Sequence, residues 1–303
     1  MHTVFLNENI HQDAYDELIR KYKVVNNFDN PEEIEAIIVR TFKVDREVLD
    51  KCTNLKIIAK HGVGMDTIDL QEAKNRGIKA INTPNANANS VAELIIGLIL
   101  DSCRNISKAH EKSIKGEFDS IAPQSMTGIE ISNKTLGLIG FGNIARIVAR
   151  ICKNGFNMKL VAYDPFVSRE QMEGCECEKF ETVDEVVSIS DVINVSVPLN
   201  PSTQDLISDR QFDLMKKNAI LVNAARGGVV NENALYEALK NKKIFSAACD
   251  AFVIEPPTSE NTNLYKLDNF IGTPHIGACS EEALIRMGKE VVKNLDNFFV
   301  EVK

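Results

Sequence analysis

The segment GLIGFGNIAR, residues 137–146, decides the reading of this chain. It sets Gly140-x-Gly142-x-x-Ala145 directly after the apolar run TLGLI and at the opening of a helical pattern, NIARIVARICKNG, that should end at Gly155. Asp164 closes the next apolar run, KLVAYD, 22 residues beyond Gly142. Two spaced glycines alone say little, but strand, turn, helix and acid at this spacing form a dinucleotide-binding fingerprint. Gly140 permits the tight turn, and Gly142 lets the backbone N–H groups of Asn143 and Ile144 approach a pyrophosphate at the positive end of the helix. Ala145 replaces a third glycine and still packs helix on sheet. Asp164 would accept hydrogen bonds from ribose hydroxyls and repel a 2′-phosphate, which reads as NAD rather than NADP. The glycine loop by itself leaves open another adenosine cofactor, such as S-adenosylmethionine.

On both sides of this loop, β-branched runs alternate with helical patterns. TVFLN (3–7), AIIVR (36–40), LKIIAK (55–60) and IKAIN (78–82) read as buried strands, with DAYDELIRKY, DREVLDKC and DLQEAKNRG as helices between them. A long helix is expected from Ser90 past Ile106, with Ser90 as its N-cap and Glu93 completing a capping box. Beyond the glycine loop, DVINVSVP (191–198), AILVNAA (219–225), FSAACDAF (245–252) and NFIGT (269–273) read as further strands, separated by three helical segments. Residues 280–300 form an amphipathic helix. Such alternation predicts an α/β protein with two doubly wound parallel sheets.

A length of 303 residues suits two domains, since single cores stop growing near this size. The net charge of −8, with no Lys/Arg cluster, argues against a nucleic-acid partner. VAELIIGLIL (91–100) is too short and too interrupted by charge to span a membrane. Seven scattered cysteines, without a C-x-x-C pair or a recognisable leader, point to reduced thiols and a cytoplasmic location. Cys175 and Cys177 read as free surface thiols rather than half a metal site, and no metal is expected.

Chemistry-bearing side chains fall just past the ends of apolar runs, where open parallel sheets bind ligands. NAARGGVVNENAL (223–235) sets Arg226 after a strand, and a guanidinium there can hold a carboxylate bidentately. ACDAFVIEPP (248–257) sets Asp250 and Glu255 after another, and IGTPHIGACS (271–280) sets His275 after a third. Hydride transfer to or from a 2-hydroxy acid needs a cation for the carboxylate, an acid–base group for the hydroxyl proton, and a partner that tunes that group. Arg226, His275 and Glu255 answer these needs, with Glu255 favouring the imidazolium and fixing its tautomer. Singly, they would read as a helix-end charge, a buried histidine and a turn acid. HGVGMD (61–66) follows a strand directly, so Gly62 and Gly64 read as a substrate-facing turn and His61 as structural or peripheral.

KHGVGMDTIDLQEAKNRGI, NTPNANANSVAEL, GLIGFGNIAR, NAARGG, EPP and TPHIG occur in the order of the landmarks of the D-isomer-specific 2-hydroxyacid dehydrogenases. The sequence resembles that family over essentially its whole length. The resemblance implies an Arg226–Glu255–His275 catalytic set, a substrate carboxylate held by Arg226 and the N–H groups of Val63 and Gly64, and Asp250 beside the nicotinamide. It also implies a Rossmann NAD domain, residues 98–274, that dimerises. This domain is inserted in a flavodoxin-like substrate domain made of residues 1–97 and 275–303, with the cleft between domains receiving the proton. Two positions depart from the family pattern, Asn231 in place of a common aspartate and Ala145 in the glycine loop. The formate-oxidising branch carries an amide where Glu255 stands, so formate is not expected.

Within the family, GVGMDTID and NTPNANANSVAEL most resemble the phosphoglycerate dehydrogenases. Lys60 could then supply a cation for a phosphate, or be a strand-end lysine in water. Reduction of hydroxypyruvate or glyoxylate is the alternative, and no appended regulatory domain is expected. An answer of another class is an NAD-sensing corepressor that binds the cofactor and hardly turns over.

Overall fold

Strands covered on both faces are written as nearly unbroken apolar runs, and helical crossovers make their neighbours parallel. The computed structural model describes residues 1–301. The chain divides into two units, Met1–Ser90 with the segment from Ala278 onward, and Val91–Gly277. Sequence reading places the crossings near residues 97 and 274.

The first unit holds β1 (Thr3–Phe5), β2 (Lys23–Val25), β3 (Ile34–Val39), β4 (Ile57–Lys60) and β5 (Lys79–Ile81), all parallel in the order β2-β1-β3-β4-β5. Alternate residues serve opposite faces. Val4, Ala36, Ile38, Ile57 and Ala59 pack with Leu18 and with Val291, Leu295 and Phe299 of the helix Glu281–Glu301. Phe5, Ile37, Val39 and Ile58 pack with Leu49 and Ala73 from the short helices on the other side.

The second unit holds β6 (Thr135–Ile139), β7 (Lys159–Tyr163), β8 (Cys177–Phe180), β9 (Val192–Val195), β10 (Ile220–Asn223), β11 (Ser246–Cys249) and β12 (Phe270–Gly272). All are parallel, in the order β12-β11-β10-β9-β6-β7-β8. The order reverses between β6 and β9, the kind of crevice in which doubly wound sheets hold ligands. Register then fixes what lies along that edge. Tyr163, Ile139, Val195, Asn223, Cys249 and Gly272 stand side by side across six strands. Whatever follows these six residues in sequence leaves from one edge of the sheet.

Several local expectations are corrected. The helix read from Ser90 begins at Ala88 and ends at Arg104, so Ser90 lies inside its first turn and is not the N-cap. Asn105 adopts the left-handed conformation there (φ 55°), and a separate helix, Ile106–Ile114, follows. The carboxylate of Asp101 accepts the N–H of Ser107 at 2.8 Å and its hydroxyl proton as well, and so caps the new helix. The helix Asn143–Phe156 runs past Gly155 and is closed by Asn157 at φ 51°. β2 and β8 are edge strands of three and four residues that follow helical patterns without a long apolar run, so periodicity missed both. Cys177 starts β8 and is buried while Cys175 is exposed, which corrects the reading of both as surface thiols.

Candidate active site

The glycine loop leaves β6 at the point where the sheet order reverses. Gly140 has φ +91°, its N–H donates to the Tyr163 carbonyl at 2.8 Å, and a Cβ there would fall 2.6 Å from the Ser196 carbonyl oxygen. Backbone and packing both demand glycine. Gly142 is different. It is the N-cap of the helix Asn143–Phe156 with φ −75°, and a Cβ would meet no atom of the described residues within 4 Å. Neither φ nor packing among the described residues requires glycine at this position. The open space lies at the positive end of a fourteen-residue helix, where Asn143 and Ile144 begin the first turn. The missing side chain thus leaves room for an anionic group to approach the backbone, which fits a pyrophosphate.

Asp164, expected as a ribose ligand, also shapes the loop. One carboxylate oxygen accepts the Phe141 N–H at 2.8 Å and the other accepts the Phe166 N–H at 2.9 Å. Each oxygen keeps a second lone pair for a hydroxyl. Ala145 is fully buried between helix and sheet.

On the other side of the reversal, three successive strand ends carry the acid–base residues. Asn223 ends β10, and Arg226 follows, with its Nη1 donating to the Ala225 carbonyl at 2.7 Å. Gly227 sits so close to the next loop that a Cβ would overlap the Phe252 carbonyl group at 2.0 Å. Cys249 ends β11, and Asp250 and Glu255 follow. The Val253 N–H donates to the Glu232 carboxylate at 2.7 Å, and the Phe252 N–H donates to Glu255 at 3.1 Å. Gly272 ends β12, and the turn carrying His275 follows.

That turn is built around Asp250, a carboxylate only 2% exposed. Its Oδ1 accepts the Thr273 hydroxyl at 2.6 Å and the Ile276 N–H at 2.8 Å, and its Oδ2 accepts the Gly277 N–H at 2.8 Å. His275 is held at the tip with φ 57°, a conformation a non-glycine residue adopts at some cost, and its Nδ1 lies 3.0 Å from each oxygen of Glu255. The hydrogen bond to Glu255 raises the His275 pKa above that of an ordinary histidine, against the opposing effect of burial. Burial would push the Glu255 carboxyl up. Its bonds from His275 and the Phe252 N–H, with the charges of His275 and Arg226, together hold it below the usual value. With Nδ1 engaged by Glu255, Nε2 is the nitrogen left to exchange a proton. The two side chains keep 46% and 37% of their surface exposed.

The remaining sequence-predicted residues belong to the first unit. Lys60 is 6% exposed, not a strand-end charge in water, and its ammonium donates to the Arg40 carbonyl at 2.6 Å and the Thr67 hydroxyl at 2.9 Å. The turn with Val63 and Gly64 is tied down by two side chains that sequence reading missed. Thr83, fully buried, takes the Gly62 N–H at 3.0 Å, and Asn82 donates to the Val63 carbonyl at 2.7 Å. The signal for both was the motif NTP itself, a polar pair ending β5. His61 is 2% exposed, and neither ring nitrogen has a hydrogen-bond partner among the described residues. Burial, and then the charge of Arg40, push its pKa down to about 4.

Residues 96–277 match the profile described as D-isomer specific 2-hydroxyacid dehydrogenase, NAD binding domain. The chain belongs to that family. The matched region therefore carries the family's NAD-binding domain. The chain is 40% identical to a D-3-phosphoglycerate dehydrogenase of Methanocaldococcus jannaschii, covering 96% of this chain and 56% of that one. It is 42% identical to a hydroxypyruvate reductase of Thermotoga maritima, covering 87% and 84% respectively. This chain thus spans little more than half the length of the phosphoglycerate dehydrogenase and most of the reductase. Among solved structures, a D-lactate dehydrogenase of Aquifex aeolicus, complexed with NAD and lactic acid, superposes with a TM-score of 0.85. That match has 30% identity and covers 99% of this chain and 96% of the other. Both parallel-sheet units fall within the length that this superposition covers, beyond residues 96–277 alone.

Proposed function

We propose that this family member catalyses NAD-dependent oxidoreduction between a D-2-hydroxy acid and its 2-oxo acid. The observation that carries the reading is the His275–Glu255 pair, Nδ1 to carboxylate at 3.0 Å, beside the Arg226 loop on the edge that bears the glycine loop. NAD, when bound, supplies or accepts the hydride. The pyrophosphate would lie against Gly142, Asn143 and Ile144, and the ribose against Asp164. Arg226 holds the substrate carboxylate. His275 gives its Nε2 proton to the carbonyl oxygen during reduction and takes the hydroxyl proton during oxidation. Glu255 stabilises the imidazolium. Asp250 fixes the turn that presents His275 and is proposed to border the nicotinamide.

The resemblance and the 40% identical relative support 3-phosphoglycerate as substrate, which would place the chain in serine synthesis. One observation favours the alternative of hydroxypyruvate or glyoxylate: the Lys60 ammonium is already turned onto Arg40 and Thr67 inside its own unit. Rates of NADH oxidation with phosphohydroxypyruvate, hydroxypyruvate and glyoxylate decide between them. A preference of tenfold or more in kcat/KM assigns the substrate. Tight NADH binding without turnover on any of the three favours the corepressor-like reading.

Homodimerisation through the NAD domain is also proposed. It is supported by Ile106, Ile114 and Ile121, which are 56%, 73% and 99% exposed on and after the helix Ile106–Ile114. Among the described residues no helix is long and apolar enough to cross a membrane. Seven unpaired cysteines suit the reducing cytoplasm, which is proposed as the location.

A further inference from the structure

Asn223, the last residue of β10, is 2% exposed, and both ends of its amide are engaged. Nδ2 donates to the Arg226 carbonyl at 2.9 Å, and Oδ1 accepts the Ala225 N–H at 3.1 Å. A side-chain amide placed this way imitates backbone and closes the chain around residues 224–226. The Arg226 guanidinium itself donates to the Ala225 carbonyl at 2.7 Å. Asn223 therefore pins the peptide groups on either side of the one against which the guanidinium rests. Its own carbonyl accepts the Asp250 N–H at 2.9 Å, so the same residue ties the Arg226 loop to the start of the Asp250–Glu255 loop.

We infer that Asn223 is a positioning residue: by closing the 224–226 turn it sets the direction of the Arg226 guanidinium, and through it the affinity for the substrate carboxylate. The inference rests on the reading of Arg226 as carboxylate ligand. The residue type follows from the geometry. An apolar side chain would leave the Ala225 N–H and the Arg226 carbonyl without these partners at a site where Asn223 is shielded from water. An aspartate would keep the acceptor for Ala225 but set a lone pair against the Arg226 carbonyl. A serine would be too short to reach both.

The test is oxalate binding to the protein–NADH complex, read from the fluorescence of bound NADH, for wild type, Asn223→Ala, Arg226→Ala and the double variant. Asn223→Ala should weaken oxalate by about tenfold or more while NADH affinity stays within about twofold. The double variant should bind oxalate no more weakly than Arg226→Ala alone, because Asn223 acts only through Arg226. A general structural loss would instead lower the NADH-binding fraction and leave the oxalate affinity of the remainder unchanged, which overturns the inference. Should Asn223→Ala fail to fold, Asn223→Ser, uncharged but too short to reach both partners, decides: weakened oxalate with retained NADH supports the role, and wild-type affinity overturns it. If Arg226→Ala binds oxalate like wild type, the carboxylate reading itself falls and takes this inference with it. If Arg226→Ala loses oxalate and both Asn223 variants do not, only the positioning role falls.

Discussion

Nδ1 of His275 lies 3.0 Å from both carboxylate oxygens of Glu255, although 20 residues separate them in sequence. The pairing follows from sheet register. Cys249 and Gly272 are neighbours across β11 and β12, so the loops that follow them must meet. Asp250 completes the arrangement by folding the Thr273–Gly277 turn around its carboxylate.

In the proposed mechanism reduction consumes the protonated imidazole, so kcat/KM for a 2-oxo acid should fall as pH rises through the His275 pKa. Glu255 holds that pKa above the ordinary histidine value. Glu255→Gln removes the charge and should move the fall to lower pH, with little change in NADH affinity. A pH–rate profile with the same midpoint in both proteins would contradict the coupling.

Gly140 and Gly142 should respond in opposite ways to alanine. Gly140→Ala forces a side chain onto φ +91° and against the Ser196 carbonyl, and should destabilise the protein by about 1–3 kcal/mol. Gly142→Ala meets none of the described residues within 4 Å, so stability should change by no more than about 1 kcal/mol in either direction. Its NADH affinity should nevertheless drop about tenfold, or about 1.4 kcal/mol, because the new methyl fills the space left for the pyrophosphate. Thermal melts and NADH titrations on both variants separate the two roles.

Asp164→Ser should raise the KM for NADH about tenfold and narrow the preference over NADPH, since it removes the charge proposed to repel a 2′-phosphate. It also deprives Phe141 of its acceptor, so NADPH should not reach the activity that wild type shows with NADH. The ratio of kcat/KM for the two cofactors is the measurement.

His61 predicts a stability slope rather than an activity. The folded ring takes a proton only near pH 4, whereas an unfolded histidine does so near 6.5. Between those values the unfolded chain binds more protons, so stability is lost as pH falls from about 6.5 to about 4, by up to about 3 kcal/mol. His61→Leu should flatten that slope in urea unfolding at pH 7 and pH 5.

Charges placed on the exposed isoleucines should disturb self-association if that face is the dimer contact. Ile114→Asp with Ile121→Asp should convert a dimer to monomer in sedimentation, without touching the residues that hold NAD. A dimer of unchanged strength would move the interface elsewhere.

The long strands and most helices were legible because apolar runs and helical spacing are strong over four or more residues. Most of the candidate site residues were legible because they fall at or within a few residues of the end of such a run. What the sequence hid were features set by tertiary context. β2 and β8 are short edges with weak burial patterns. The break at Asn105 depends on one residue in the left-handed conformation, and the inward turn of Lys60 depends on Arg40 and Thr67, outside its own strand. Asp164 was read for its charge, and its bonds to the Phe141 and Phe166 N–H groups could be seen only once the loop was folded.

We propose His275 as the group that delivers the proton in NAD-dependent reduction of a 2-oxo acid. Single-turnover oxidation of bound NADH by hydroxypyruvate, in wild type and in His275→Ala, tests it most directly. In the variant the hydride-transfer rate should fall by about two to four orders of magnitude, with NADH affinity nearly intact. Equal rates in the two proteins would contradict it.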